Sequence, residues 1–230
     1  MKPDKEYNGR SRIRMYRADC MDLMKTGTWD LAIVDPPYGI NYNRTGTTYS
    51  KGKGGKGFYT STHYKSTEWD KERPKSEYFD SLIRITDNQI IWGGNYFADL
   101  LPASRGWIYW DKKISNSTTE NYSDGELAWS SFDCVLKKFT YDWIGFGYIN
   151  NPQKQKRIHK TEKPINLYKW LLTNYAKEGD TIFDSHGGSM SIAIACWDLG
   201  FDLDICELDT DYFNDAVKRF ENHVAQTQLF

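Results

Sequence analysis

The sequence predicts an α/β domain with a largely parallel sheet. Short apolar runs, such as DLAIVD (Asp30–Asp35) and TIFD (Thr181–Asp184), alternate with segments of helical periodicity such as Lys75–Ile85. This alternation is typical of strands joined by crossover helices. The chain has 230 residues and a 39 % hydrophobic content, which suffice for one α/β domain with a sizeable core. We therefore predict a single domain over residues 1–230.

The first half of the chain predicts strands that end at polar or glycine residues. Arg12–Cys20 alternates and ends at an acid, which predicts a strand that leads into a loop. Gln89–Gly94 and Gly106–Asp111 predict further buried strands. Glu126–Phe132 (ELAWSSF) fits either a strand or a helix by its period. Tyr141–Ile149 alternates like an edge strand.

The second half predicts helices between short strands. Ile165–Gly179 predicts a helix of about four turns with a glycine past its end. Ser189–Leu199 predicts a second helix, which Ser189 caps and Gly200 terminates. A strand over 201–207 and a helix over 211–224 complete the pattern.

Composition and charge exclude several classes of protein. The net charge is −1, so binding to nucleic acid would depend on local basic patches. The four cysteines form no CxxC pair, which predicts neither a metal site nor a redox pair, and we expect free thiols in a reducing compartment. No apolar run approaches the roughly 18 residues of a membrane span, and the N-terminal stretch does not resemble a signal peptide. We expect a cytoplasmic protein without membrane contact.

The stretch VDPPYG (Val34–Gly39) predicts a binding site at the carboxyl edge of the sheet. A strand delivers Asp35 to the edge where open α/β sheets place their sites. Pro36 and Pro37 stiffen the turn and remove two backbone donors, so the nearby carbonyls can accept hydrogen bonds from a ligand. With the ring of Tyr38, these acceptors suit a planar heterocycle that bears an amino group. A proline-stopped strand with a tyrosine in its turn explains the stretch equally well.

A second candidate site follows the strand TIFD. The strand ends at Asp184, and Gly187 and Gly188 allow a tight turn that approaches a ligand closely. Glu207 lies about twenty residues further, at the end of the next strand. This arrangement suits an adenosine cofactor whose ribose is held by the acid. No GxGxxG or GK[ST] motif supports a dinucleotide or a triphosphate, and an ordinary tight turn remains the alternative.

Together, these motifs resemble those of the amino-methylating DNA methyltransferases that use S-adenosylmethionine. DPPYG is similar to their catalytic tetrapeptide, FDSHGGS to their FxGxG cofactor loop, and HKTEKP (His159–Pro164) to their H-x-T-x-K-P segment. The catalytic motif precedes the cofactor loop, as in the circularly permuted β group of N6-adenine and N4-cytosine methylases. The resemblance implies a Rossmann-like, seven-stranded, mostly parallel sheet, with TIFD beside DLAIVD although about 150 residues separate them.

The resemblance also implies roles for individual residues. The implied catalytic residues are Asp35, Pro36, Pro37 and Tyr38. The implied cofactor-binding residues are Asp19, Cys20, Asp35, His159, Thr161, Lys163, Pro164, Asp184, His186, Gly187, Gly188, Ser189, Glu207 and Leu208. Among them, Asp19 would hold the cofactor adenine and Glu207 its ribose.

The implied reaction is methyl transfer from S-adenosylmethionine to N6 of an adenine. An Asp at position 35 is typical of the adenine-specific members of this family. The target base would be flipped out of the duplex and stacked on Tyr38. N4 of cytosine is the first alternative; amino groups of RNA or protein are less favoured, because their methylases normally carry the cofactor loop first. A further alternative is a catalytically weak DNA-binding protein. It arises because Met190 stands where the loop usually has its second glycine and would crowd the cofactor.

The expected partner is double-stranded DNA, bound by a monomer or a homodimer in a bacterial cell or a phage-infected host. The loop 43–75 and the segment 112–150 are the candidate insertions for target recognition. The candidate DNA-binding residues are Arg44, Lys51, Lys53, Lys56, Lys65, Lys154, Lys156 and Arg157. A phosphate-binding role predicts salt-sensitive affinity, whereas a solvated loop is the alternative for the first stretch.

Overall fold

The computed structural model describes residues 1–40, 70–112, 123–141, 158 and 161–227. Its strands are β1 Lys5–Asn8, β2 Arg12–Tyr16, β3 Trp29–Val34, β4 Thr86–Trp92, β5 Trp107–Asp111, β6 Gly125–Ser130, β7 Lys137–Thr140, β8 Thr181–Asp184 and β9 Asp202–Cys206. Its α-helices are α1 Cys20–Met24, α2 Ser76–Ile85, α3 Ile165–Tyr175, α4 Ser191–Leu199 and α5 Thr210–Thr227, and a short 3-10 helix spans Gly94–Tyr96. None of the helices in these ranges combines the length and the hydropathy that a membrane span requires.

All nine strands join one sheet in the order β1-β2-β9-β8-β3-β4-β6-β5-β7. The five strands β2, β9, β8, β3 and β4 run parallel to one another. β3 pairs with β8 at Leu31–Ile182 and Ala32–Phe183, which confirms the predicted adjacency of DLAIVD and TIFD. The Asp30 carboxylate strengthens this pairing, because it accepts hydrogen bonds from the backbone N–H and the hydroxyl of Thr181, both at 2.7 Å.

Within the described residues, the sheet has nine strands rather than the expected seven. The short strands β1 and β7 occupy its two edges, and their largely exposed polar sequences KEYN and KKFT lack the apolar signal that marks the central strands. The ambiguous stretch ELAWSSF is strand β6, which pairs antiparallel with both β4 and β5. Beyond Tyr141, the predicted edge strand lies outside the described residues.

Helix α3 is shorter than predicted. Its 11 residues make about three turns, and Ala176 caps it three positions before Gly179. The predicted termination of α4 by Gly200 is confirmed, since Gly200 adopts a left-handed backbone with φ of 82°.

The core lies on both faces of the sheet. In β3, Leu31 and Ile33 pack into the cluster that includes α3, α4 and α5, whereas Ala32 and Val34 pack into the cluster that includes α1 and α2. Parallel sheets covered on both faces are typically apolar throughout their central strands. The polar side chains that could carry chemistry are therefore concentrated where the strands end.

Candidate active site

Four acids lie at the carboxyl ends of adjacent parallel strands. Asp19 follows β2, Glu207 follows β9, Asp184 ends β8 and Asp35 follows β3. Because these strands are neighbours and parallel, their carboxyl ends meet at the same edge. The two predicted sites are thus side by side, although 149 positions separate Asp35 from Asp184 in the chain (184 − 35).

The turn after β3 is held by a buried carboxylate. One oxygen of Asp70, which is only 1 % exposed, accepts hydrogen bonds from the backbone N–H groups of Tyr38 (2.8 Å) and Gly39 (3.0 Å). Gly39 has a φ of 72°, a conformation that glycine adopts without strain. Asp70 lies inside the predicted recognition loop, and no motif marked it as a residue that shapes the catalytic turn.

Tyr38 contacts Asp35, the acid of the same turn. Its hydroxyl donates a 2.7 Å hydrogen bond to Oδ1 of Asp35, and its ring stacks on Tyr96 with centroids 4.9 Å apart. Burial raises the pKa of the Tyr38 hydroxyl well above its ordinary value. A Cβ on Gly93 would lie 2.2 Å from the Tyr38 ring, so only glycine fits there. This close approach explains the glycine at the end of β4.

Lys163 of the HKTEKP segment extends to the catalytic turn. Its side chain is 2 % exposed, and its ammonium donates a hydrogen bond to Oδ2 of Asp35. The same ammonium lies 3.1 Å from Glu126, which also pairs with Lys112 at 2.6 Å. Two carboxylates and two ammonium groups therefore form one network, here called the charge network (Asp35, Lys163, Glu126 and Lys112). Sequence reasoning did not find Glu126 or Lys112, because both lay in the segment assigned to target recognition.

The charge network offsets the cost of burying its members. Burial by itself would lower the pKa of Lys163, but the charges of Asp35 and Glu126 outweigh it and raise that pKa. Burial by itself would raise the pKa of Glu126, but the two lysines outweigh it and lower that pKa to about 2. Both groups are thus charged at neutral pH.

The glycine loop after β8 is held by the acid at the end of β9. One carboxylate oxygen of Glu207 accepts a 2.7 Å hydrogen bond from the backbone N–H of Gly188, and the other accepts one from Asp209 at 2.8 Å. The N–H of Gly187 donates to the carbonyl of Cys206 at 2.6 Å. A Cβ on Gly187 would lie about 3.0 Å from Ile205, so the glycine permits the close approach of loop and strand.

Met190 occupies the most unusual backbone conformation of the described residues. It is the only non-glycine residue among them with a positive φ, at 52°. This left-handed conformation costs a residue with a Cβ roughly 1–2 kcal/mol, whereas glycine adopts it freely. The Met190 side chain is 1 % exposed and packs in the core with α4 rather than into the loop.

The predicted helix cap is wrong. Met190 rather than Ser189 is the N-cap of α4, and no side chain caps the helix. The Ser189 hydroxyl instead lies 3.1 Å from the Ser191 hydroxyl. The physical reason is the left-handed turn at Met190, which starts the helix at Ser191.

At neutral pH, the side chains of Asp184 and His186 at the glycine loop are predominantly uncharged. Burial is the main cause that raises the pKa of Asp184 to about 8, with further contributions from the charges of Asp35 and Glu207. Burial also lowers the pKa of His186 to about 4. The Ser185 hydroxyl bridges Tyr78 (2.6 Å) and Nδ1 of His186 (2.7 Å).

The remaining candidate cofactor residues surround the loop with differing exposure. Asp19 caps α1 by accepting a hydrogen bond from Met21 at 2.9 Å, and the Cys20 side chain is buried in the core. Leu208 is 70 % exposed beside Glu207. Pro164 is buried and precedes α3, and Thr161 is half-buried.

Several predicted residues lie outside the described part of the chain. They are His159 and the candidate DNA-binding residues Arg44, Lys51, Lys53, Lys56, Lys65, Lys154, Lys156 and Arg157. Among the described residues, no cluster of His, Cys, Asp and Glu side chains could hold a metal ion.

The fold is that of known DNA methyltransferases. The chain is similar to the structure of the M1.HpyAVI–SAM complex with a TM-score of 0.56 and 18 % identity, over 90 % of this chain and 99 % of that one. PvuII DNA methyltransferase, which is cytosine-N4-specific, gives a TM-score of 0.57 and 12 % identity over 93 % and 90 % of the two chains. TTHA0409 from Thermus thermophilus, a putative DNA modification methylase complexed with S-adenosyl-L-methionine, gives 0.53 and 14 % over 92 % and 94 %.

One segment of the sequence matches a known family. Residues 107–218 match the family model N6_N4_Mtase, described as DNA methylase. This segment, a little under half of the chain, is therefore similar to the N6/N4 DNA methylases, and the fold agrees with that similarity. No curated protein matches it.

Proposed function

We propose that this chain transfers a methyl group from S-adenosylmethionine to N6 of a flipped adenine in double-stranded DNA. The observation that carries the proposal is the Asp35 carboxylate, which lies at the sheet edge between the Lys163 ammonium and the Tyr38 hydroxyl. It is placed beside a glycine loop of the cofactor type. The aspartate at position 35 favours adenine as the target over cytosine.

The residues around the glycine loop fit S-adenosylmethionine. Each carboxylate oxygen of Glu207 holds one backbone N–H and retains a lone pair for a ribose hydroxyl. Leu208 offers an exposed apolar surface beside it for the adenine ring. The Met190 side chain does not crowd the loop, because it is buried in the core. This burial favours a working cofactor loop over a catalytically weak DNA-binding protein.

The mechanism depends on acceptors in the catalytic turn. When bound, S-adenosylmethionine supplies an electrophilic methyl group on its sulfonium. The Asp35 carboxylate and the Pro36 carbonyl accept the two hydrogens of the target amino group. These bonds favour a pyramidal nitrogen and orient its lone pair for attack, and such alignment is a large part of catalysis. Transfer would form the N–C bond as the sulfonium S–C bond breaks, S-adenosylhomocysteine would leave, and the nitrogen would lose one proton to solvent. Lys163 supplies the counter-charge that keeps Asp35 in place.

The target base is held by aromatic rings. A base in a duplex cannot reach the turn, so it must be flipped. Tyr38 and Tyr96 form a stacked pair, and Tyr96 is 39 % exposed, which offers a flat apolar surface for the base. The basic residues of 43–65 and 154–157 bind the DNA phosphates. Charge reversal at Lys51, Lys53 and Lys56 should weaken DNA binding and reduce its dependence on salt.

The proposal is tested by product analysis. The purified protein is incubated with double-stranded DNA and labelled S-adenosylmethionine, and the nucleosides are separated by mass spectrometry. N6-methyladenine is the expected product, whereas N4-methylcytosine would establish the alternative target. Asp35→Ala should abolish transfer without unfolding the protein. Asp87→Ala, which removes an exposed aspartate of the neighbouring strand β4, is the matched control and should retain activity.

A further inference from the structure

Arg219 of α5 forms hydrogen bonds on both sides of Met190, the residue of the glycine loop that has a left-handed backbone. Its Nη1 donates a 2.8 Å hydrogen bond to the carbonyl of Ser189 and a 2.9 Å hydrogen bond to the hydroxyl of Ser191. These two residues flank Met190 in the chain. The guanidinium therefore connects the end of the loop to the first residue of α4.

The conformation of Met190 needs such support from its surroundings. A left-handed backbone at a residue with a Cβ persists only where neighbouring contacts over-determine it. The buried methionine side chain anchors the residue to the core on one side. On the loop side, Arg219 holds the backbone carbonyl of Ser189 before Met190 and the side-chain hydroxyl of Ser191 after it.

A second charged residue holds Arg219 in this position. Nη2 of Arg219 lies 3.0 Å from Oε1 of Glu162, and the two side chains are only 15 % and 7 % exposed. A buried ion pair of this kind is costly to break, because the remaining partner keeps its charge without compensation. Glu162 immediately precedes Lys163, so the pair also joins the glycine loop to the segment that contacts Asp35.

We propose that Arg219, held by Glu162, is a positioning residue that locks the left-handed turn at Met190 and thereby sets the affinity for the cofactor. The link to cofactor affinity rests on the proposed function, in which this loop binds S-adenosylmethionine. Locking of the turn itself is a property of the free protein. Arg219 acts through the backbone of the loop, so its loss affects cofactor binding more than the rate of transfer at saturation.

The first test compares Arg219→Gln and Glu162→Gln with Lys218→Gln. Lys218 is the exposed neighbour on the same helix, so its variant loses the same positive charge as Arg219→Gln without contacting the loop. Hydrogen exchange of the amides from Gly187 to Ile192 is measured in the free protein. Exchange should be about tenfold faster in both test variants and unchanged in the control. Arg219→Lys keeps the charge but not the fork of donors, and should give an intermediate rate.

The second test measures cofactor binding by calorimetry and steady-state kinetics. Arg219→Gln should raise the Kd and the KM for S-adenosylmethionine about tenfold, while kcat stays within about threefold of wild type. Glycine at position 190 would adopt the left-handed backbone without support from Arg219. In a Met190→Gly background, Arg219→Gln should therefore raise the Kd by less than about threefold relative to Met190→Gly alone.

Two results would contradict the proposed role of Arg219 in stabilising the turn at Met190. One is amide exchange in Arg219→Gln equal to that in Lys218→Gln, and the other is an undiminished tenfold loss of affinity in the Met190→Gly background. Failure of the wild-type protein to bind S-adenosylmethionine would instead overturn the proposed function. The exchange experiment would still decide whether Arg219 locks the turn, because it needs no cofactor.

Discussion

The catalytic turn and the glycine loop lie side by side, but different forces hold them. The catalytic turn is held by ionised groups, since Lys163 contacts Asp35 and is itself paired with Glu126. The glycine loop is held by its backbone N–H groups, which donate to the Glu207 carboxylate and the Cys206 carbonyl, and the pKa values of Asp184 and His186 favour their neutral forms. Two aspartates at neighbouring strand ends thus differ in environment: a buried ammonium contacts Asp35, whereas Asp184 accepts a backbone N–H from His186. Tertiary structure brings a cation into contact with Asp35, whereas the partner of Asp184 is a local N–H group.

Loss of the central cation of the catalytic turn should have the largest effect. In Lys163→Met, the carboxylates of Asp35 and Glu126 lose their shared counter-charge. Breaking a buried ion pair from one side costs about 3–5 kcal/mol, so the free energy of unfolding in urea should fall by about that amount. Lys137→Met, at an exposed position of β7, should change it by less than about 0.5 kcal/mol. Equal stability of the two variants would show that the charge network does not hold the turn.

Loss of the acid that holds the glycine loop should have the next largest effect. Glu207→Ala removes the acceptors for the N–H groups of Gly188 and Asp209 and the proposed acceptors for the ribose. We expect the Kd for S-adenosylmethionine to rise about 100-fold, because hydrogen bonds to charged groups are worth about 1.5–3 kcal/mol. Calorimetry with Glu178→Ala, an exposed glutamate, is the control. A Kd within threefold of wild type, about 0.65 kcal/mol, would contradict a cofactor role for Glu207.

The neutral character of the glycine loop should be visible in the pH dependence of stability. The folded-state pKa of Asp184 is raised from 3.8 to about 8, so between these values the folded state binds a proton that the unfolded state lacks. Its contribution to stability therefore falls as pH rises across this window. The pKa of His186 is lowered from 6.5 to about 4, so its contribution rises with pH between these values. The two slopes oppose each other below pH 6.5, and only that of Asp184 remains above it.

Asp184→Asn should remove the decline in stability between about pH 6.5 and 8. The slope of a single group reaches at most about 1.4 kcal/mol per pH unit, so the effect is at most about 2 kcal/mol over this range. Urea unfolding at several pH values measures it. His186→Gln, as the control, should alter the pH profile only below pH 6.5. An unchanged decline in Asp184→Asn would refute the assignment of a neutral carboxyl group to the loop.

The support of the catalytic turn by Asp70 should give the smallest effect. Asp70→Ala removes the acceptor for the N–H groups of Tyr38 and Gly39 and loosens the turn. We expect kcat to fall about tenfold while the Kd for S-adenosylmethionine is unchanged, because the glycine loop keeps its own contacts. Asp70→Asn retains an acceptor oxygen and should lose less. Asp80→Ala, on the exposed face of α2, is the control; a loss confined to cofactor affinity would count against the separation of the two regions.

The sequence predicted the central strands and their acids better than it predicted the contacts of those acids. Strands β3 and β8 were predicted because their sequences are apolar and end at Asp35 and Asp184. The edge strands β1 and β7 were missed, because half-exposed polar strands have no apolar period. The motif resemblance pointed to a family that the match of residues 107–218 bears out.

The groups that support the site had no sequence signal of their own. None of these groups belongs to a motif, and each contacts a residue outside its own element; they are Glu126, Lys112, Asp70 and Arg219. Their partners could be found only from the folded chain. Met190 was the opposite case: its position in the motif was clear, but the direction of its side chain depended on the backbone φ.

By itself, the sequence determined the α/β class, the order of the two motifs and the acids at the strand ends, because periodicity and motif spacing are local properties. Only the tertiary structure decided how charge is distributed over those acids. Lys163 reaches Asp35 from a distant part of the chain and is itself paired with Glu126, whereas no described cation forms a salt bridge with Asp184, whose burial raises its pKa. The reason is physical: the pKa of a buried acid depends on desolvation and on the charges a few ångströms away, and neither is written in the neighbouring residues of the sequence.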